Sequence, residues 1–342
     1  EVAALYTPQQ GQSGGLAAAQ AKLTPLLAAM NVYAASHPDN EAGHRLHSDM
    51  LARQVLLART AGDLDAAGPA AQSALALAEA RHKALPDDID WGDRLSLAQR
   101  DVGELLIEQG RFADGLIQLR RSLALREELA PKEGGKANAQ ADVAGAQAAL
   151  GDALSASGSY VDAETAYIAA RNSLALQARL HPENKVLPLR GARLELAIVA
   201  NQQLARRGLT ASRTLKLLRQ RLTAERDGGD KLLLAQAGLM EALIQPGGTA
   251  QQAYVVAERS LPALLADSEA DPQNTYRQRE SVAAWQKAGE IGLRAGQKDS
   301  ACKYLGLAEA RYDALAQAHR LNALDVAART RLAAQRAVCR PA

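Results

Sequence analysis

Residues 97–130, LAQRDVGELLIEQGRFADGLIQLRRSLALREELA, show the hydrophobic pattern from which the fold class is predicted. Apolar residues recur at helical spacing up to Gly110, where the pattern stops, and a second apolar face runs from Phe112 to Leu123. We therefore predict two antiparallel helices joined by a tight turn at Gly110. Small residues stand where the two helices have to approach each other, Gly103 in the first helix and Gly115 in the second.

The same hairpin recurs downstream in LGDALSASGSYVDAETAYIAA. Its residues match the first copy with Gly151 for Gly103, Gly158 for Gly110, Tyr160 for Phe112, Ala163 for Gly115 and Tyr167 for Leu119. The segment WQKAGEIGLRAGQKDSACKYL again carries Trp285 and Gly289 at the expected places. The chain is therefore predicted to repeat one helical hairpin.

Two markers recur in phase along the chain. The predicted turn glycines stand 48 residues apart at Gly14, Gly62, Gly110 and Gly158, and then at looser spacing at Gly208, Gly248 and Gly296. The second marker is a proline followed by acids or amides, at His-Pro-Asp-Asn 37–40, Leu-Pro-Asp-Asp 85–88, His-Pro-Glu-Asn 181–184 and Asp-Pro-Gln-Asn 271–274. Proline stops one helix, and the Asp or Asn after it caps the next one.

These hairpins resemble the tetratricopeptide repeat, whose Leu-Gly, aromatic, Ala and aromatic positions they partly keep. That family's unit is about 34 residues, so a 48-residue period predicts longer helices or longer connections. The resemblance implies an all-α, right-handed α-solenoid of about seven antiparallel hairpins, and other α-solenoids remain the structural alternative. We expect a single domain over 1–342, with an incomplete first repeat at 1–37 and a C-terminal capping helix at about 322–339.

Composition supports a helical chain and sets limits on its partners. Hydrophobic residues make up 47% and aromatic residues 3%, with no period-two alternation typical of strands. The sequence has no apolar run of the roughly 18 residues that a membrane span requires. Because it starts at Glu1 without Met or a leader pattern, we expect a fragment whose N-terminal neighbour is missing.

Positive charge is concentrated in one segment, from Lys185 to Arg221, although the net charge of the chain is only +2. We call this segment the basic stripe. It is either a solvated helix face or a site for an anionic partner, and its lack of aromatic residues for base stacking disfavours nucleic acid. The stripe contains one acid, Glu195, and the cations Lys185, Arg190, Arg193, Arg206, Arg207, Arg213, Lys216, Arg219 and Arg221.

The two cysteines of the chain are expected to lie side by side. The last hairpin is predicted to turn near Leu321, with Cys302 19 residues before it and Cys339 18 residues after it. Antiparallel helices rising about 1.5 Å per residue bring the two cysteines level. We expect a disulfide that clamps the final helix, with two unrelated thiols in a reducing compartment as the alternative. If oxidised, the pair indicates an extracytoplasmic, periplasmic location.

Catalytic and metal-binding patterns are scarce. Pro-Lys-Glu-Gly-Gly-Lys at 131–136 lacks the spacing of a phosphate loop, and we interpret it as a connection. His44 and His47 are three residues apart on a predicted helix, but no further ligand completes a metal site, so we interpret both as surface histidines. We assign no catalytic residue, metal or cofactor, and we do not expect this fragment to be an enzyme.

Stacked hairpins offer a groove lined by the first helix of each pair, which binds another protein or a peptide. A protein or peptide ligand is therefore the expected partner, a membrane contact is expected only through a missing N-terminal segment, and the oligomeric state is unknown. An anion-binding repeat module of a cytoplasmic regulator, contacting nucleic acid or lipid headgroups, is the alternative, and an enzyme with a site between helices is the third class. The candidate groove residues are Arg53, Arg59, Arg100, Glu104, Glu108, Asp152, Gln202, Arg206, Lys287, Glu290 and Arg294.

A second resemblance concerns the setting of the repeats. The Pro-Asp-Asn linkers followed by long helix pairs, as in LPDDIDWGDRLSLAQRDVGELLIEQGRFADGL, look like the repeat arrays appended to bacterial membrane-anchored serine/threonine kinases. This resemblance implies a non-catalytic sensor region beyond the membrane, with the kinase upstream of Glu1. Such repeats also occur on transcription regulators and on free-standing scaffolds.

Overall fold

The computed structural model describes residues 15–134, 137–224, 230–244 and 249–339. The described residues form α-helices, turns and one short 3-10 helix, Ala337–Cys339, and contain no strand, which confirms the all-α prediction. The helices are α1 Gly15–Ser36, α2 Glu41–Ala61, α3 Leu64–Ala84, α4 Ile89–Glu108, α5 Phe112–Leu129, α6 Ala137–Ala156, α7 Tyr160–Leu180, α8 Val186–Leu204, α9 Gly208–Ala224, α10 Lys231–Ile244, α11 Ala250–Ala270, α12 Thr275–Arg294, α13 Lys298–Gln317 and α14 Ala323–Arg336.

Most helices contain about 20 residues, which accounts for the long period. Helix α4 has 20 residues and α5 has 18, and three residues connect them. Successive helices pack against each other in sequence order, and the first helices of neighbouring hairpins also touch, as α2 with α4 and α8 with α10. The observed hairpins are α2–α3, α4–α5, α6–α7, α8–α9, α10–α11 and α12–α13.

The packing divides the chain into two compact units. Unit 1 comprises Glu1–Ala149 and Ala270–Tyr276, and unit 2 comprises Leu150–Glu269 and Arg277–Ala342. The expectation of a single domain and the right-handedness of the superhelix both stay predictions. Each unit has its own apolar core. The core of unit 1 includes Leu51, Val55, Val102 and Leu105, and that of unit 2 includes Val199, Leu215, Leu218, Trp285 and Leu305.

Four of the predicted turn glycines have the left-handed backbone that favours glycine. Their φ angles are 75° at Gly62, 80° at Gly110, 85° at Gly158 and 72° at Gly296. A residue in the left-handed conformation ends a helix because its backbone N–H, and that of the next residue, can bond to the last carbonyls of the helix. At the end of α2, the Gly62 amide bonds to the Ala58 and Arg59 carbonyls. The turns predicted at Gly14 and Gly248 lie outside the described residues.

The turn prediction at Gly208 is wrong. Gly208 is the first residue of α9, and the left-handed position of this turn is taken by Arg206 with a φ of 57°. Arg206 stands 48 residues after Gly158, so the chain keeps the period and changes the residue. A search for glycine alone therefore missed the turn and selected a neighbour.

Small residues allow the helices of a hairpin to approach closely, as predicted. A Cβ atom on Gly115 would lie 2.8 Å from the Gly103 carbonyl oxygen, and one on Gly103 would lie 3.1 Å from the Gly115 oxygen. In the second copy, a Cβ on Gly151 would lie 2.7 Å from the Tyr167 ring. Since the backbones touch, a larger side chain at these positions would force the helices apart.

The proline markers end one helix and cap the next one. The Asn40 side chain accepts a hydrogen bond from the Gly43 amide at 2.8 Å, and the Asp88 side chain accepts one from the Trp91 amide at 3.2 Å. Each satisfies a helix N–H group that has no partner within the helix. The capping function predicted from the sequence is confirmed at these two helices.

The C-terminal helix closes unit 2. Helix α14 begins after Asn322, whose side chain accepts from the Asp325 amide, while the Asp325 carboxylate accepts from the Asn322 amide. The structure joins Cys302 on α13 to Cys339 after α14 in a disulfide with Cα atoms 5.5 Å apart. None of the helices in the described part of the chain has the length and apolar character needed to span a bilayer.

Candidate functional site

A cavity in unit 2 lies between the first helices of three successive hairpins, α8, α10 and α12, with one residue from α11. Its volume is about 280 Å³, and we call it the Lys287 pocket. Solenoid repeats present their first helices on one surface, so this is where the groove prediction expects a ligand. The pocket is lined by Leu196, Ala197, Ala200, Leu232, Gln236, Leu239, Met240, Leu264, Glu280, Ala283, Ala284 and Lys287.

Helix α12 supplies the two charged residues of the pocket. Glu280 and Lys287 are seven residues apart, close to two turns of 3.6 residues, so both project from one helix face. Ala283 and Ala284 lie between them on the wall, and their small side chains leave space above α12. Leucines and Met240 from α8 and α10 form the facing apolar wall. The pocket thus combines apolar walls with one acid, one amide and one ammonium group.

The Lys287 ammonium makes no hydrogen bond or ion pair within the part of the chain that the structure describes. Burial in the pocket lowers the pKa of Lys287, and the negative charge of Glu280 opposes that shift. A charged group in an apolar pocket gains from an anionic partner because its own hydration has been reduced. The arrangement therefore favours a ligand that brings an apolar group and a negative charge together.

The structure places the other groove residues of unit 2 in different settings. Gln202 is 3% exposed and donates to Glu164 at 2.6 Å, and Asp152 accepts from the Tyr167 hydroxyl at 2.7 Å. Arg294 donates to the Leu243 carbonyl at 3.0 Å at the end of α10. Glu290 is half-buried on α12, and Arg206 lies in the turn after α8 instead of on its helix face.

The groove residues of unit 1 are largely paired with each other. Arg59 on α2 contacts Glu104 at 2.5 Å and Glu108 at 2.9 Å on α4, and the Tyr276 hydroxyl donates to Glu108 at 2.9 Å. Arg100 lies 3.8 Å from Glu104. Burial opposes ionisation of Glu104, but the Arg59 and Arg100 charges outweigh it and hold the pKa of Glu104 below its usual range. The fifth predicted residue of unit 1, Arg53, is half-buried on α2.

The basic stripe is partly neutralised in the folded chain. At least four of its arginines form ion pairs with acids, most of which come from outside the stripe. The pairs are Arg193 with Asp230, Arg207 with Glu164, Arg219 with Glu241 and Arg221 with Glu195. The stripe is therefore less positive in three dimensions than in sequence. This weakens the case for a long anionic polymer, whose affinity would depend on many uncompensated cations.

The two histidines on α2 each contact an oxygen atom of a nearby residue. The His44 Nε2 atom lies 2.9 Å from the Pro38 carbonyl oxygen, and the His47 Nε2 atom lies 2.7 Å from the Asn31 side-chain oxygen. His44 is 7% exposed, so its interpretation as a surface residue is wrong. Its ring instead fastens the Pro-Asp-Asn linker to α2. No group of metal-ligating side chains was found among the described residues.

Sequence reasoning selected Lys287 but missed the residues around it. Glu280 lies two turns before Lys287 on the same helix, so extending the helical projection of α12 would have found it. Gln236 and the leucine wall come from helices 40 or more residues earlier in the chain. No local pattern marks them, because their role depends on how the hairpins stack.

Two solved structures are similar to this chain over most of its length. The apo form of RapI superposes with a TM-score of 0.59 at 12% identity, covering 86% of this chain and 93% of RapI. BtubC from P. vanneervenii superposes with a TM-score of 0.55 at 17% identity, covering 73% of this chain and 91% of BtubC. The chain has a tetratricopeptide-like helical-repeat fold. At these identities the similarity establishes the fold alone.

The sequence matches no protein-family model, and no curated protein matches it significantly. The repeat fold is therefore recognised through structure, and the function has to be argued from the site.

Proposed function

We propose that this chain is a non-catalytic scaffold that binds a protein or peptide on the surface formed by the first helices of the unit 2 hairpins. The observation that carries the proposal is the Lys287 pocket, whose ammonium group has no bonding partner among the described residues. Its volume of about 280 Å³ is at the lower limit of small-molecule sites, which span about 300–1,000 Å³. The pocket therefore suits one anchoring side chain of a larger ligand.

The charges define the anchor that the pocket prefers. The walls from α8 and α10 suit an apolar side chain, while Lys287 suits a carboxylate on the same or a neighbouring residue. Repeat scaffolds read extended peptides or helices through such anchors along the row of first helices. The expected ligand is therefore a peptide segment in which an apolar residue stands next to Asp or Glu.

The direct test is selection from a phage-displayed library of random 12-residue peptides on the immobilised full chain. We expect enrichment of peptides that pair an apolar residue with an acid. A selected peptide, measured by calorimetry, should bind Lys287→Met about tenfold more weakly, because a charge-assisted hydrogen bond is lost. Lys303→Met is the matched control, since Lys303 is exposed on α13 and outside the pocket. No enrichment, or equal losses in both variants, would contradict the proposal.

The pH dependence of binding gives a second readout. Since the pKa of Lys287 is lowered, the ammonium loses its proton below the pH of about 10.5 at which an ordinary lysine titrates. Affinity for the selected peptide should fall as the pH rises through that lowered pKa. A Lys287→Arg variant keeps its charge over this range, so its affinity should stay constant if it binds the peptide at neutral pH.

We also propose that the chain works outside the cytoplasm, as the sensor region of a bacterial signalling protein. The support is the Cys302–Cys339 disulfide, because such bonds persist in oxidising compartments. Attachment to a membrane-anchored serine/threonine kinase rests on the resemblance of the linkers alone. Protein isolated under native conditions without reductant should show no mass change after thiol alkylation, and alkylation of both cysteines would contradict the location.

A further inference from the structure

A second cavity in unit 2 lies between α7, α8 and α9, and we call it the arginine cleft. Its volume is about 520 Å³, inside the range of about 300–1,000 Å³ that small-molecule sites occupy. It shares no lining residue with the Lys287 pocket. A peptide anchored in the Lys287 pocket therefore leaves this cavity free.

The floor of the arginine cleft is apolar. Leu187 from α8 and Leu218 and Leu222 from α9 are each no more than 3% exposed and line the cavity. An apolar molecule placed over them would lose contact with water and gain packing contacts. The floor alone would accept any apolar body of suitable size.

The rim of the cleft gives it a preferred charge. Three arginines, Arg171, Arg179 and Arg221, line the cavity together with one acid, Glu195. The Arg221 guanidinium is paired with Glu195. Arg171 donates to the Asn172 side chain at 2.9 Å, and Arg179 has no hydrogen bond or ion pair to any residue that the structure describes. Two guanidinium groups thus line the cleft without a carboxylate in salt-bridge contact among the residues that the structure describes.

Glu195 opposes an added anion. Its side chain is 10% exposed, and burial holds the pKa of Glu195 above its usual range, although the charges of Arg221 and Arg171 oppose that shift. The carboxylate repels a second negative group and also occupies Arg221. Removing this charge would expose a third guanidinium to a ligand. Substituting Glu195 should therefore raise the affinity of the cleft for an anion, whereas substituting Arg179 should lower it.

We infer that the arginine cleft binds a small amphipathic anion, with its apolar body on the leucine floor and its anionic head between Arg171 and Arg179. Guanidinium groups suit this role because they present several N–H donors in a planar fork to carboxylate or phosphate oxygens. The Lys287 pocket and the arginine cleft are then independent sites, one for a peptide anchor and one for a small molecule.

Calorimetry with decanoate, below its micelle-forming concentration, tests the inference on the full chain. Decanoate should bind once per chain and at least tenfold more tightly than decanol, which has the same apolar body without the charge. Arg179→Met should weaken decanoate binding about tenfold, and Glu195→Gln should strengthen it several-fold. The matched control is Arg213→Met, because Arg213 is an exposed residue of the basic stripe that does not line the cleft.

Three results would overturn the inference. They are no decanoate binding, equal binding of decanol, and equal weakening by Arg179→Met and Arg213→Met, which would indicate general attraction to the stripe. A vesicle arm separates a soluble anion from a lipid surface. If the chain sediments with phosphatidylglycerol vesicles in a manner sensitive to Arg213→Met and insensitive to Arg179→Met, a membrane surface replaces the cleft as the ligand. Arg179 is exposed, so its substitution should leave the fold intact.

Discussion

In unit 1 the Arg59 guanidinium is held between Glu104 and Glu108, whereas in unit 2 the Lys287 ammonium faces apolar walls without a bonding partner among the described residues. Both cations stand on the first helix of a hairpin, and both were predicted to line a groove. The difference shows that a shared repeat geometry does not give every repeat the same role. Paired charges support the folded state, and an unpaired charge in a pocket is available to a ligand.

The largest expected effect concerns the constraint that only unit 2 possesses. Cys302 and Cys339 are 37 residues apart, for which the chain-entropy account predicts about 4 kcal/mol of stabilisation. Reductant should therefore lower the melting temperature of the oxidised chain. The double variant Cys302→Ser with Cys339→Ser should melt at the lower temperature with or without reductant. If the melting temperature of the wild-type chain is the same with and without reductant, this prediction is wrong.

The second prediction tests the two cations directly. Arg59→Met should lower the free energy of unfolding by about 3 kcal/mol, because it leaves Glu104 with only the more distant Arg100 and Glu108 with only the Tyr276 hydroxyl. Lys287→Met should leave stability unchanged or raise it by up to about 1 kcal/mol, since it removes an unpaired charge. Chemical denaturation measures both changes. Equal losses in the two variants would remove the contrast between the units.

The third prediction concerns packing that both units share. Gly115→Ala should cost about 2 kcal/mol, because the new Cβ would lie 2.8 Å from the backbone oxygen of Gly103. Gly289→Ala should cost a similar amount, since its Cβ would lie 2.6 Å from Cγ of the fully buried Leu305 and 3.3 Å from the Ala301 carbonyl oxygen. Gly306→Ala is the control, as its Cβ would meet only the Arg336 side chain at 3.8 Å. That control should be neutral or stabilising in denaturation experiments.

The smallest effect concerns the hairpin turns. Arg206→Gly should raise the free energy of unfolding by up to about 1 kcal/mol, because glycine adopts the φ of 57° without steric cost. The reverse change in unit 1, Gly110→Ala, should lower the free energy of unfolding by about 1 kcal/mol, because alanine is strained at the Gly110 φ of 80°. A loss of stability in Arg206→Gly would show that the arginine side chain contributes more than the backbone strain costs.

Much of the fold was predictable because its signals are local. Gly110 ends one helix and Asp88 starts another through contacts within a few residues, so their roles are readable from composition and spacing. The close approach of the helices at Gly103 and Gly115 could be predicted once the two helices were assumed to form a hairpin. At the turn after α8, the 48-residue period indicates Arg206, whereas the preference for glycine indicates Gly208. The period was correct, because Arg206 has the left-handed backbone.

The candidate sites were less predictable because their parts are distant in sequence. Arg59 meets Glu104 and Glu108 across 45 and 49 residues, so a helical projection selected all three without showing that they pair. Arg207 and Arg219 likewise add to the positive charge of the basic stripe in sequence. In the folded chain Glu164 and Glu241 neutralise them. Charge counted along a chain ignores partners that folding brings in from elsewhere.

By itself, the sequence determined that this protein is a series of long helical hairpins, since helix periodicity, turn conformation and capping depend on neighbours along the chain. Which polar groups are satisfied and which remain open to a ligand depends instead on the packing of the helices. That outcome depends on contacts between helices tens of residues apart. Arg59 and Lys287, both cations on the first helix of a hairpin, therefore acquire different roles because the acids around them differ.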